Sequence, residues 1–263
     1  MIKKDSIISF SSFQDVDPVL INNIISNNSY CIIKDFIDRS VCREIVKRFQ
    51  SELNTSRDNP TIGETPSDIK KIYQKLSIGG YMNGWDYRPR YVRIIYTPFF
   101  DNDPYGVHHI GRKFCKLRNV IQGNPEDFAI DSIQDNLWTA LRLQHYPSGG
   151  GFFSAHKDVV LEKTTMETGL KQFNQFLLLL TTKGDHFTRG GAFIYDNDKK
   201  IDLENVAVGG DVIIYSGTNK HGVDDIDPQA TSNTNSSSGR LVLINSLYKN
   251  MSSNEKRYEE GIK

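Results

Sequence analysis

The stretch LQHYPSGGGFFSAHKD, residues 143–158, decides how the rest of the chain is read. A β-prone run enters a Pro-Ser-Gly-Gly-Gly turn, and a second run leaves it to close on His156, Lys157 and Asp158. Side chains alternate faces along a strand, so His156 and Asp158 point one way and Lys157 the other. A histidine and a carboxylate placed like this can converge on one metal ion. A third ligand has to come from another strand. His221 is the natural choice, because it follows the strand-like run 212–215 and precedes the small Gly222. Two histidines and one carboxylate make a facial triad that leaves coordination positions open.

A single His-x-Asp also arises by chance as a surface histidine beside a solvated aspartate. The surroundings favour the metal. A glycine turn precedes the motif, the pair Gly190-Gly191 follows it, a histidine comes after a later strand, and Arg240 opens the last one. Strand-like runs recur at 137–146, 176–182, 191–195, 212–215 and 241–247. Turn signals lie between them: Lys183-Gly184-Asp185, Asp196-Asn197-Asp198 and Gly209-Gly210-Asp211. Such spacing predicts an antiparallel sandwich or barrel in the C-terminal half. Residues 227–239 (DPQATSNTNSSSG) are too polar to bury a core and are expected to form a mobile connecting loop.

The N-terminal half has a different pattern. Residues 30–37 (YCIIKDFI) predict a buried strand. Asp38 and Ser40 then offer N-caps to an amphipathic helix at 41–53, whose Val41, Cys42, Ile45, Val46, Phe49 and Leu53 share one face. A polar loop at 56–66, strand and loop at 81–100 and a helix at 114–122 are expected, and the charged residues 251–263 form a tail. His108 and His109, read as extended, face opposite sides and do not chelate together.

Composition narrows the classes. Lys and Arg number 32 against 32 Asp and Glu, so there is no electrostatic footprint for nucleic acid or an anionic membrane. No run approaches the roughly 18–20 apolar residues of a membrane span. The first 13 residues lack the apolar core of a signal peptide. Cys31, Cys42 and Cys115 are odd in number and form no Cys-x-x-Cys pair, which predicts free thiols and a cytoplasmic protein.

Arg240 begins the run RLVLINSL. An arginine facing a barrel interior is costly unless an anion pairs with it, and its fork suits a carboxylate. The alternative is a strand-mouth arginine reaching solvent. Arg142, Gln144 and Tyr146 share one face of their strand, and Leu141, Leu143 and His145 share the other. Either set can face inward. The first would contact ligands, and Arg142 is then a second candidate anchor for a carboxylate. Asn174 and Arg189 flank strands and can touch substrate or simply end strands in solvent. Arg93, with Tyr81, Trp85, Tyr87 and Arg90, can line a substrate pocket or pack ordinarily.

The run 143–158 resembles the 2-oxoglutarate/Fe(II)-dependent oxygenases of the prolyl-hydroxylase-like group. So do LLLLTT at 177–182 with RGGAFIY at 189–195, and VGGDVIIYS at 208–216 leading to His221-Gly222-Val223. The likeness is close over 137–247 and loose over 30–53; residues 55–135 match nothing in the group. Nineteen residues separate Arg240 from His221, more than is usual there, and the polar loop at 227–239 accounts for the excess. Asp158 distinguishes the chain from the halogenase variant, which has a small residue at this point.

The resemblance implies a mainly β protein with flanking helices, built on a double-stranded β-helix (jelly-roll, cupin-like) core. It implies a single oxygenase domain over 1–263, with a helical or mixed support at 1–136, the core at 137–250 and a tail at 251–263. It implies Fe(II) on His156, Asp158 and His221, with 2-oxoglutarate and O2 as cosubstrates. The far carboxylate of 2-oxoglutarate would meet Arg240, with Tyr146 and Gln144 beside it. Arg142, Asn174, Arg189 and Arg93 would serve the substrate. The expected activity is hydroxylation of an unactivated C–H bond of a small metabolite, with release of succinate and CO2. A peptidyl hydroxylase and a cupin-like metal-binding module without turnover are the alternatives.

Overall fold

The computed structural model describes residues 2–53, 73–79, 89–159, 163, 166–170 and 173–250. The strand β1 (Ile7–Ser9) leads to helix α1 (Pro18–Asn28), strand β2 (Tyr30–Lys34) and helix α2 (Arg39–Glu52). Then come β3 (Tyr73–Gly79), β4 (Arg90–Tyr96) and helix α3 (His108–Ile121). The C-terminal half holds β5 (Leu137–Pro147), β6 (Gly151–His156), β7 (Asn174–Leu179), β8 (Gly191–Asp196), β9 (Lys199–Asp202), β10 (Val212–Ser216), β11 (His221–Ile226) and β12 (Gly239–Lys249). The expectations for 56–66, 81–88 and 251–263 lie outside the described residues.

One sheet runs β1-β2-β10-β7-β12-β5, and the other runs β6-β11-β8-β9. They are joined through β4, which pairs with β5 at Arg93–Tyr96 and with β6 at Arg90 and Tyr91. Apart from parallel β1 and β2, the pairings are antiparallel. Apart from the β8–β9 hairpin, consecutive strands of the C-terminal half cross between the two sheets, and the result is a double-stranded β-helix.

The leucine run 177–180 shows why the sequence settles here. A strand buried on both faces reads as a continuous apolar run. Leu177 and Leu179 pack inside with Ile32, Ile194, Ile213, Val242 and Ile244. Leu178 and Leu180 face outward, onto a layer made by Ile21, Ile45, Phe49, Phe114 and Leu117 of the three helices. Each fully buried Leu or Ile contributes roughly 1.5–3 kcal/mol, so the helical layer stabilises the sheet that carries the interior face. Asp17 and Asp38 start α1 and α2 by accepting backbone N–H bonds from Val19, Leu20 and Ser40.

Three local readings are corrected. The helix expected at 114–122 begins at His108, because the Asp103 carboxylate accepts the N–H groups of Val107 and His108. The two histidines therefore sit on a helix, not in an extended segment. Residues 199–202 and 221–226 form strands that the apolar runs do not mark, and the strand read through His156 begins at Gly151. The loop at 227–239 is pinned: Arg93 donates to the Thr234 carbonyl and Ser148 N–H to that of Ser238. It passes so close to the glycine turn that a Cβ on Gly149, whose φ is +93°, would lie 2.7 Å from the Ser232 Cα.

Candidate active site

Strand β6 ends at His156, so Asp158 lies just beyond the strand and not within it as the alternation argument assumed. Its backbone N–H bonds to the Gly217 carbonyl at 2.9 Å, which turns the chain so that the carboxylate still meets the histidines. His221 opens β11 directly opposite His156. The register then slips, pairing Val223 with Phe153, so β6 carries one residue more than β11 between the two pairs. This bulge lets Phe153 stack on the His156 ring at 4.4 Å. Gly222 allows the approach, because a Cβ there would lie 2.7 Å from the Phe153 carbonyl oxygen and 2.6 Å from the Phe193 ring.

Ligand atoms of His156, Asp158 and His221 all lie within 4.8 Å of one another. The Nε2 atoms of His156 and His221 are each 3.4 Å from an Asp158 oxygen, on Oδ1 and Oδ2 respectively. Nδ1 of His156 lies 2.7 Å from the Ser154 carbonyl oxygen, and Nδ1 of His221 lies 2.8 Å from that of Asn219. A carbonyl only accepts, so each Nδ1 carries the proton and each Nε2 turns a lone pair toward the carboxylate. Two nitrogen lone pairs and a carboxylate converging in a buried spot fit a divalent cation, and backbone carbonyls that fix the tautomer are the usual support of histidine ligands. Burial on its own would raise the Asp158 pKa. When Nε2 is protonated as well, the hydrogen bonds and charge of the two imidazoles outweigh it and hold the carboxyl well below the usual carboxylate range.

The interior face of the neighbouring sheet supplies the rest. Arg240 lies opposite Tyr146 across β12 and β5, with its guanidinium 5.1 Å from the Tyr146 ring. It is wholly buried, which removes the reading of an arginine reaching solvent. Its Nε donates to Glu204 Oε1 at 2.6 Å, while Nη1 and Nη2 have no hydrogen-bond partner among the described residues. A guanidinium with two buried, unanswered donors fits a ligand carboxylate. The Tyr146 hydroxyl donates to Gln144 Oε1 at 2.8 Å, and burial pushes this phenol up to about 12, so it stays a donor. Tyr215 links the two ends. Its ring lies 4.7 Å from that of His221, and burial followed by the Asp158 charge pushes its pKa well above the ordinary value. Arg240 and Arg142 act on the same hydroxyl in the opposite sense.

The register decides between the two faces of β5. Arg142, Gln144 and Tyr146 share the face of Arg240, Val242 and Ile244, whereas Leu141 and Leu143 pack against the helices. Arg142 is buried four residues along β5 from Tyr146, with Nη2 3.2 Å from Ser246 Oγ and its guanidinium 5.1 Å from the Tyr248 ring. The other three expected substrate contacts are not brought to this interior face. Arg93 pairs with His145, on the helix-facing side of the sheet. Arg189 is exposed beside an outer groove of about 460 Å³ lined by Phe193, Asp202 and Asp224. Asn174 alternates with Gln175, and it is Gln175 that reaches the metal triad, donating to Asp158 Oδ2 at 2.9 Å. Glu204 and Gln175 escape sequence reasoning altogether, since nothing in their neighbouring residues marks them.

No family model matches the sequence, and no curated protein matches it either. Solved structures do share the fold. A prolyl-4-hydroxylase from Pseudomonas putida aligns over 90% of this chain and 100% of its own, at 13% identity and a TM-score of 0.54. A prolyl hydroxylase from Trichoplax adhaerens, solved with a hypoxia inducible factor oxygen degradation domain peptide, aligns over 92% of this chain and 91% of its own, at 11% identity and a TM-score of 0.53. The non-heme alpha ketoglutarate dependent epimerase SnoN from nogalamycin biosynthesis aligns over 89% and 84%, at 10% identity and a TM-score of 0.52.

Proposed function

We propose that this chain is an Fe(II)- and 2-oxoglutarate-dependent dioxygenase that hydroxylates an unactivated C–H bond of a small metabolite, releasing succinate and CO2. One observation carries the reading. The same interior holds a cation site, made by three converging ligand atoms, and an anion site, made by the two unanswered Nη groups of Arg240. A 2-oxo dicarboxylic acid has the matching ends, a chelating 2-oxo acid and a distal carboxylate. The double-stranded β-helix shared with the two prolyl hydroxylases and the epimerase supports the assignment.

In this reading His156, Asp158 and His221 would hold the iron. Arg240 binds the distal carboxylate, with Tyr146 and its partner Gln144 shaping the pocket beside it. Iron, 2-oxoglutarate and O2 together supply the oxidising chemistry. The residues orient the cosubstrate between two fixed charges and exclude water from it. Arg142, at the far end of the same face, is the substrate contact that the geometry supports best.

The balanced charge favours a small substrate over an extended polymer groove. A peptide is the second reading, favoured by the peptide bound to the Trichoplax adhaerens enzyme. Among the described residues no helix is long and apolar enough to cross a membrane, and Cys31, Cys42 and Cys115 are free and buried, which supports a cytoplasmic enzyme. Succinate formation measured across a panel of metabolites and peptides tests the function. Turnover that needs both Fe(II) and 2-oxoglutarate is expected. A protein that neither decarboxylates 2-oxoglutarate nor gives a visible charge-transfer band with Fe(II) and 2-oxoglutarate under anaerobic conditions is instead a metal-binding module without turnover.

A further inference from the structure

Because Asp158 sits past the end of β6, the pleat of the strand does not set the direction of its carboxylate. Other groups have to. We propose that Gln175, held by Ser246 and Arg142, is a positioning residue that fixes the Asp158 carboxylate for metal binding.

The hydrogen bonds form one directed chain. A guanidinium can only donate, so Ser246 Oγ accepts from Arg142 Nη2 at 3.2 Å. The Ser246 hydroxyl then gives its proton to Gln175 Oε1 at 3.1 Å. That leaves the Gln175 amide N–H2 to face Asp158, where Nε2 lies 2.9 Å from Oδ2. The orientation of the amide thus follows from the chemistry of its neighbours. All four side chains are buried, where bonds aligned in one sense polarise one another and strengthen the last.

The geometry explains what this achieves. Oδ1 of Asp158 faces His156 and Oδ2 faces His221, each at 3.4 Å. The Gln175 amide occupies part of Oδ2 and opposes rotation of the carboxylate about its terminal torsion, which is otherwise broad. Gln175 also pairs with Tyr215 across β7 and β10, and Tyr215 packs on the His221 ring. One cross-strand pair therefore braces two of the three ligands.

This inference rests on the metal site proposed above, and its test is separable from turnover. The full chain, freed of metal, is titrated with cobalt(II) and followed by visible absorption. Gln175→Met keeps the volume and deletes the amide. It is expected to weaken cobalt binding about 10–100-fold, as loss of a ligand's support does elsewhere, and to alter the visible bands. Ser246→Ala removes one oxygen at a distance from the metal and leaves the Gln175 amide unsupported, so a smaller loss in the same direction is expected. It also carries the test if Gln175→Met does not fold. A folded Gln175→Met or Ser246→Ala protein with wild-type affinity and bands overturns the proposal. A wild-type protein that does not bind cobalt(II), or whose binding survives His156→Ala unchanged, overturns the metal centre itself and this inference with it.

Discussion

Nε of Arg240 donates a 2.6 Å hydrogen bond to Oε1 of Glu204, and both side chains are buried. Glu204 also accepts the Ala192 N–H, so the carboxylate is fixed before any ligand arrives and the two Nη groups are aimed away from it. The charge of Arg240 is thereby already balanced by Glu204, and an incoming carboxylate is a second anion at that point. Glu204→Gln keeps the acceptor for Nε and Ala192 while removing the negative charge. The variant is expected to unfold at a lower temperature without ligand, since it leaves an unneutralised buried cation. It should gain more in melting temperature from 2-oxoglutarate than the wild type does, which thermal shift against cosubstrate concentration will show.

Arg240→Lys keeps a charge and loses the planar fork, so the Michaelis constant for 2-oxoglutarate should rise while cobalt or iron affinity stays nearly unchanged. Arg240→Ala should be worse and less stable, because removing one partner of a buried pair costs about 3–5 kcal/mol. Arg142→Ala is the control. It lies on the same face but away from Arg240, and should leave that constant almost as it was. The opposite ranking of the two alanine variants would move the carboxylate anchor to β5.

Replacing any one of His156, Asp158 and His221 by alanine should abolish turnover and weaken metal binding by more than the roughly 10–100-fold seen on loss of a supporting neighbour. Circular dichroism should show the fold retained. Wild-type turnover in any of the three would remove that residue from the ligand set.

Gly222→Ala tests the close approach of β11 to β6. The new Cβ would meet the Phe153 backbone oxygen at 2.7 Å, which cannot move aside as a side chain does. Overpacking of this kind costs about 1–3 kcal/mol. Because His221 is the adjacent residue, metal affinity should fall together with the unfolding temperature. An alanine variant with unchanged values for both would show that the strands have room to separate.

His145 sets a pH dependence of stability. Burial, with Arg93 adding to it, lowers its pKa from 6.5 to about 3, against the opposing bond to the Ser238 carbonyl. The unfolded chain therefore binds a proton that the folded chain refuses. This contribution is complete above pH 6.5 and is lost as pH falls toward about 3. The slope is about 1.4 kcal/mol per pH unit within that window. His145→Gln, which keeps a donor for the Ser238 carbonyl, should flatten the acid limb of the stability curve in urea titrations between pH 7 and pH 4. An unchanged limb would assign it to other groups.

The sequence by itself determined what depends on near neighbours. Alternating and continuous apolar runs marked β5, β7, β8, β10 and β12 of the β-helix, and Asp38 marked the start of α2. His156 with Asp158 marked the metal site, since two ligands two residues apart need no knowledge of the fold. Tertiary structure decided whatever depends on a distant partner. Both faces of β5 are buried, so hydrophobicity could not say that Arg142, Gln144 and Tyr146 share the face of Arg240. Only the register with β12 does. A shift of one residue along a strand exchanges its faces, which is why Gln175 and not Asn174 reaches Asp158, and why Arg93 turns away to hold the 227–239 loop. Glu204 meets Arg240 from 36 positions away in the chain. A buried polar side chain takes its role from the group that satisfies it, and here those groups come together only when the two sheets close.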